Sequence, residues 1–172
     1  MIQEDEKIDS VYGLNGSGNG CFSGDTLIFT PVRQFIPLRD AWERNIIINV
    51  WSYNIEKKDV GFKRANVYLM GEKTLRCVSI NDMMIWVTAD HHFLTSDLTY
   101  VPNSDIDDHT FLRGVKMEEN EEFLSDNKLM SQCASQGVNK EEAFSVKVED
   151  GDNFIVVTEF DHHHYSGIVV KG

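Results

Sequence analysis

From residue 21 onward the chain alternates short apolar, β-branched runs with clusters of polar turn formers. Residues 26–30, Thr-Leu-Ile-Phe-Thr, form a brief run of this kind, stopped by Pro31. Residues 46–53, 61–69, 74–80 and 83–88 read as further strands. The polar clusters at 54–59, 71–73 and 81–82 predict turns between them, and Asn81-Asp82 predicts a compact hairpin. Shorter strand pieces are expected at Tyr100-Val101 and 110–112, and longer ones at 143–148, 154–158 and 168–170. Residues 37–44 alone suit a helix, of about two turns with Pro37 at its start. Many short strands with one brief helix predict an all-β domain.

Two stretches break the pattern. Residues 1–20 begin polar and acidic and end with four glycines in the eight positions from Gly13 to Gly20, which predicts a flexible flank. Gly13 and Gly18 have the spacing of a phosphate-binding loop, but Asn19 and Gly20 stand where Lys and Ser or Thr belong, so that chemistry is set aside. Residues 117–135 are acidic and polar without period-two alternation, and a mobile loop is expected at about 115–140.

Composition narrows the classes. With 16 basic and 28 acidic residues the net charge is −12, which argues against a nucleic-acid partner, because neutralising phosphates needs Lys and Arg. Apolar residues make up 41% of the chain, enough for a core. No apolar run approaches the roughly 20 residues that span a bilayer, and no basic segment leads into an apolar stretch as in a signal peptide. Cys21, Cys77 and Cys133 are an odd set without framework spacing, which suits a reducing, cytoplasmic setting.

Few residues suggest chemistry. Cys21 follows Gly20, and a thiol beside an unhindered glycyl peptide can attack the Gly20 carbonyl and convert the amide to a thioester; a small core residue is the plainer alternative. Such a shift needs a proton delivered to the departing nitrogen, and His91, three residues after Thr88 at a strand end, is the natural donor. Thr88 can orient that imidazole or hold the scissile peptide. His92 is expected to face the other way, since neighbours on a strand point to opposite faces. His162, His163 and His164 cannot all face one ion and lack a C-x-x-C or H-x-x-x-H partner, so no metal and no cofactor are expected, and 161–167 reads as a solvated turn.

Taken together these segments resemble an intein, the self-splicing branch of the Hint superfamily. Cys21-Phe-Ser-Gly-Asp-Thr is similar to the family's opening Cys-Phe-x-x-Asp-Thr, and Val50-Trp-Ser-Tyr-Asn54 to an early strand. Val87-Thr-Ala-Asp-His-His-Phe-Leu resembles the Val-Thr-x-Asp-His-Pro-Phe-Leu motif, with His92 in place of Pro. Residues 143–154 resemble the later motif that ends His-Asn-Phe, with Ser145 at its common Asp position and Asp152 at its common His position. Residues 167–172 stand where Gly-Ile-x-Val-His-Asn belongs, with Lys171 and Gly172 replacing His and Asn.

The resemblance implies a horseshoe-shaped, pseudo-two-fold β fold over residues 21–172, preceded by an N-terminal flank (N-extein) at 1–20, in a mini-intein without endonuclease. It implies attack of Cys21 on Gly20, proton donation by His91 and positioning by Thr88. Asp152 either tunes the thiol or relays a proton, or is a plain turn residue. Gly172 has no carboxamide to cyclise and no nucleophile follows it, so completed splicing is not expected. The implied partners are the chain's own flanking segments, with no nucleic acid or membrane, in a monomer. Two alternatives are a Hint domain that only cleaves, as in bacterial intein-like or Hedgehog-type relatives, and an acidic metal-binding β module.

Overall fold

The computed structural model describes residues 20–172 apart from 31–34, 46, 81–82, 108, 119–124, 133 and 161–163, and omits the side chains of 118, 125–132, 134–136, 160 and 164. The expected flank at 1–20 therefore lies outside the described residues except for Gly20.

Thirteen strands and one α-helix are present among the described residues. They are β1 (Phe22–Ser23), β2 (Leu27–Phe29), β3 (Phe35–Pro37), α1 (Leu38–Glu43), β4 (Ile48–Asn54), β5 (Asp59–Ile80), β6 (Met83–Val87), β7 (His92–Leu94), β8 (Tyr100–Pro102), β9 (Phe111–Glu118), β10 (Ser125–Gln132), β11 (Ala134–Val148), β12 (Asn153–Phe160) and β13 (His164–Lys171). The domain is all-β, as the alternation predicts. One sheet runs β11-β1-β6-β5-β4, with β11 also paired to β5; the other runs β10-β9-β13-β12-β2-β3, with β7 and β8 attached at β13. The two-residue strand β1 thus lies between β11 and β6, with Phe22 opposite both Phe144 and Val87.

Sequence dictates the junctions. Pro37, at φ −67°, caps α1, and the helix hangs on the turn after β1 through Leu38 N–H to Thr26 O and Arg39 N–H to Gly24 O, both 3.0 Å. Arg39 also reaches the Asp25 carboxylate at 2.6 Å. The largest core cluster gathers Phe22, Phe93, Phe144 and Phe154 with Ile28 and Leu38, while Trp51, Leu94 and Met117 anchor a second. A small third cluster holds Cys21, Leu75 and Ala143.

Three sequence expectations are corrected. The turn expected at 71–73 is strand: β5 continues through it, because Gly71 at φ +86° takes up a register shift opposite Ala143 and Phe144, and the ribbon with β11 runs on. Most of the loop expected at 115–140 is also strand, in β9, β10 and β11. Alternation is missing in this part of β11 because residues 137–140 are exposed, so pairing to β5 through backbone hydrogen bonds leaves no polar face to distinguish. Finally, the solvated turn expected at 161–167 gives way to β13 from His164 onward, paired with β12 and β9; there Gly167 lets the strands approach, since a Cβ would lie 2.7 Å from Val156 O.

Candidate functional site at the Gly20–Cys21 peptide

The end of β6 and the start of β1 meet around one peptide bond. Thr88 N–H donates to Cys21 O at 2.9 Å, as in an antiparallel ladder. The reciprocal bond is different: Cys21 N–H donates to Thr88 Oγ1 at 2.9 Å. The Thr88 carbonyl is already taken by His91 N–H at 3.1 Å and by Asn103 Nδ2 at 3.4 Å, so the hydroxyl serves in its place. The Thr88 hydroxyl thus takes the Cys21 end of the Gly20–Cys21 peptide.

Gly20 lies on the same two residues. It adopts φ +73°, a left-handed conformation that favours glycine, and a Cβ there would sit 2.6 Å from Thr88 Oγ1 and 2.9 Å from His91 Cα. The Gly20–Cys21 peptide is thus laid directly on the Thr88–His91 turn. His91 is 1% exposed, whereas His92 is only half-buried. The His91 imidazole lies between Phe22 and Phe93, with ring centroids 4.1 and 5.9 Å away.

The Cys21 thiol is 2% exposed. Burial pushes its pKa up from 9.0 to about 11; the Lys73 charge draws it back and the Asp90 carboxylate adds to the rise. Losing water disfavours the charged form more than Lys73 restores it, so the thiol stays protonated at neutral pH. Cys77 is also free and buried, and Cys133 lies outside the described residues.

Asp152 sits with the other end of the domain. Gly172 N–H donates to Asp152 O at 2.8 Å. The Asp152 carboxylate accepts from Tyr100 Oη at 3.3 Å and from Asn153 Nδ2 at 3.4 Å, and Asp152 lines a polar groove of about 510 Å³ with Ser52, Tyr53 and Lys63. Lys171 Nζ stands 5.0 Å over the Tyr100 ring, and burial together with Asp152 pushes the Tyr100 phenol up to about 12.

Strand β11 ties the two ends together. Phe22 pairs with Phe144, and that register carried one residue further puts Ser145 across from Cys21. On the next residue, Val146 O would lie 3.3 Å from a Cβ on Gly172. Phe154 touches both ends, meeting Phe22 edge-on at 5.3 Å between ring centroids and flanking Gly172. Ser145 itself is 2% exposed, and its hydroxyl has no hydrogen-bond partner among the described residues.

Sequence reasoning missed Asn103, Tyr100 and Asn153, because each works through backbone carbonyls or distant strands that leave no spacing signature. No group of three or more His, Cys, Asp or Glu is placed to hold a metal among the described residues; His162 and His163 lie outside them. No helix among the described residues is long and apolar enough to cross a membrane.

This architecture is the Hint fold seen in inteins. The DnaB intein from Synechocystis sp. PCC 6803 matches with a TM-score of 0.65 at 20% identity, over 89% of this chain and 98% of that one. The DnaX mini intein from Spirulina platensis matches with a TM-score of 0.63 at 16% identity, over 88% and 98%. A bacterial intein-like domain from Clostridium thermocellum matches at 0.57 and 18%, again over 88% and 98%. No family profile and no curated protein sequence matches the chain.

Proposed function

We propose that this chain is a self-processing domain that rearranges its own Gly20–Cys21 peptide into a thioester. The observation that supports it most is the junction itself: Cys21 N–H on Thr88 Oγ1, with Gly20 packed against Thr88 and His91. Cys21 Sγ bonds to the Gly20 carbonyl carbon, and the C–N bond then breaks. The thiol gives up one proton and the released amine gains one, so the step is balanced within the site. His91 supplies the proton to the nitrogen, and Thr88 holds that nitrogen in place. Since burial keeps the thiol protonated, proton removal accompanies attack rather than preceding it. The domain acts within one chain, on its own flanking segments.

At the other end, Gly172 carries no carboxamide that could cyclise, so residue 172 does not itself supply the C-terminal step of splicing, and a domain that only cleaves is the second reading. Gly172→Asn with an appended Cys and a short flank supplies that step directly. Space is tight: a Cβ at 172 would lie 2.9 Å from Val148 Cγ2, so the repair is made with Val148→Ala and with Lys171→His. Hydroxylamine should release residues 1–20 from the original chain and not from Cys21→Ala. The repaired chain should in addition yield ligated flanks on a gel and by mass. Release without ligation in the repaired chain would place it with domains that only cleave, and equal release from Cys21→Ala would mean ordinary proteolysis of the glycine-rich flank.

A further inference from the structure

Asn103 opens the short 3-10 turn Asn103–Asp105 that follows β8, and it is 0% exposed. Its backbone N–H donates to His91 O at 2.7 Å, and that of Ser104 to Ala89 O at 2.9 Å. Its side-chain Nδ2 reaches Val87 O and Thr88 O, each at 3.4 Å. Two consecutive residues thus take the carbonyls of Val87, Thr88, Ala89 and His91. A turn at a strand end ordinarily leaves such carbonyls to water and moves with it. Here the turn that carries Thr88 and His91 is held from behind by the fully buried Asn103 and by the backbone N–H of its exposed neighbour Ser104. The grip on Thr88 has a direct consequence, because a Thr88 carbonyl turned toward Asn103 and His91 N–H leaves the hydroxyl to receive Cys21 N–H.

Building on the function proposed above, we propose that Asn103 is a positioning residue for the acyl shift. Its carboxamide fixes the Val87–Thr88 backbone and its N–H fixes His91, so that both stay against the Gly20–Cys21 peptide. The carboxamide oxygen has no hydrogen-bond partner among the described residues, so the donor end is what the site uses.

Three chains test this: the original, Asn103→Ala and Asn103→Asp. Amide hydrogen exchange is followed at Cys21 and Thr88, whose N–H groups make the two bonds across the junction, and at Val156 and Val169 in the β12–β13 core. Release of residues 1–20 by dithiothreitol is measured alongside. In Asn103→Ala, exchange at Cys21 and Thr88 should quicken at least about tenfold while Val156 and Val169 keep their protection. Release should slow about 10- to 100-fold, the usual effect of a misplaced reacting group. Asn103→Asp supplies a donor only while its carboxylic acid is protonated, since the carboxylate faces two carbonyls. Exchange at Cys21 should therefore return toward the original value on acidification, a pH step that the original chain lacks. Unchanged exchange and release in folded Asn103→Ala would overturn the proposal, as would Asn103→Asp without a pH step. If the original chain releases nothing, the proposed function falls, and exchange alone decides whether Asn103 holds the turn.

Discussion

The buried thiol of Cys21 makes the sharpest quantitative prediction. Its pKa rises from 9.0 to about 11 on folding, chiefly through burial. At pH 8 a thiol of pKa 9 is about one-tenth thiolate, whereas one of pKa 11 is about one-thousandth, so iodoacetamide should modify Cys21 at least about 100-fold more slowly in the folded chain than in urea, with shielding of the buried sulfur adding to the difference. The folded rate should keep climbing about tenfold per pH unit to near pH 11, where the unfolded rate levels off near pH 9. Because the folded state holds this proton more tightly, its contribution to stability is complete below pH 9 and is lost as pH rises through 11. A difference of two units corresponds to about 3 kcal/mol. Lys73→Ala should move the alkylation midpoint higher and Asp90→Asn lower, because the Lys73 charge favours the thiolate and the Asp90 charge opposes it. The assay is intact mass against time from pH 7 to pH 11, with Cys21 and Cys77 separated by peptide mapping. A Cys21 midpoint at or below 9 would refute the reasoning: the thiolate would then be preformed and burial would not govern the site.

Other outcomes follow from the same geometry. His91→Ala should slow thiol-induced release of residues 1–20 by about 10²–10⁴-fold, as for loss of a general acid, while His92→Ala costs much less; timed mass spectra rank the two. Gly20→Ala forces a side chain into left-handed backbone, at about 1–2 kcal/mol, and onto Thr88 Oγ1, so release should drop, the Cys21 amide resonance should shift and the melting temperature should fall by a few degrees. Asn153→Ala removes a buried carboxamide that accepts from Tyr53 N–H at 2.7 Å and Ser52 Oγ at 3.0 Å and donates to Tyr53 O at 2.9 Å. Leaving the Tyr53 groups unpaired should cost about 3–5 kcal/mol in urea unfolding, and a loss below about 1 kcal/mol would contradict that count.

The sequence carried the elements whose signal is local. The strand at 26–30, the turn at 54–59 and the helix at 37–44 appear close to where alternation and proline put them. Cys21, Thr88 and His91 also converge, although 67 residues separate Cys21 from Thr88, because the motif resemblance supplied a contact that periodicity could not. What was hidden depends on tertiary context. Gly71 reads as a turn former, yet a partner strand turns it into a bulge. Strand β11 is exposed on both faces at residues 137–140 and so shows no alternation there. The place of Asp152 follows from the pairing of Asn153 with Lys171, which brings the chain end back beside it. The pKa of the Cys21 thiol depends on packing by Leu75 and Ala143, which no local pattern reports.

The central claim is that Cys21 attacks the Gly20 carbonyl. Its most direct test is the mass of the fragment freed by excess dithiothreitol at neutral pH. The account predicts a fragment of residues 1–20 that carries the dithiothreitol thioester at Gly20 and later hydrolyses, from the original chain and never from Cys21→Ala. A chain that stays intact for days, or a fragment with a plain carboxylate formed equally by both chains, would contradict it.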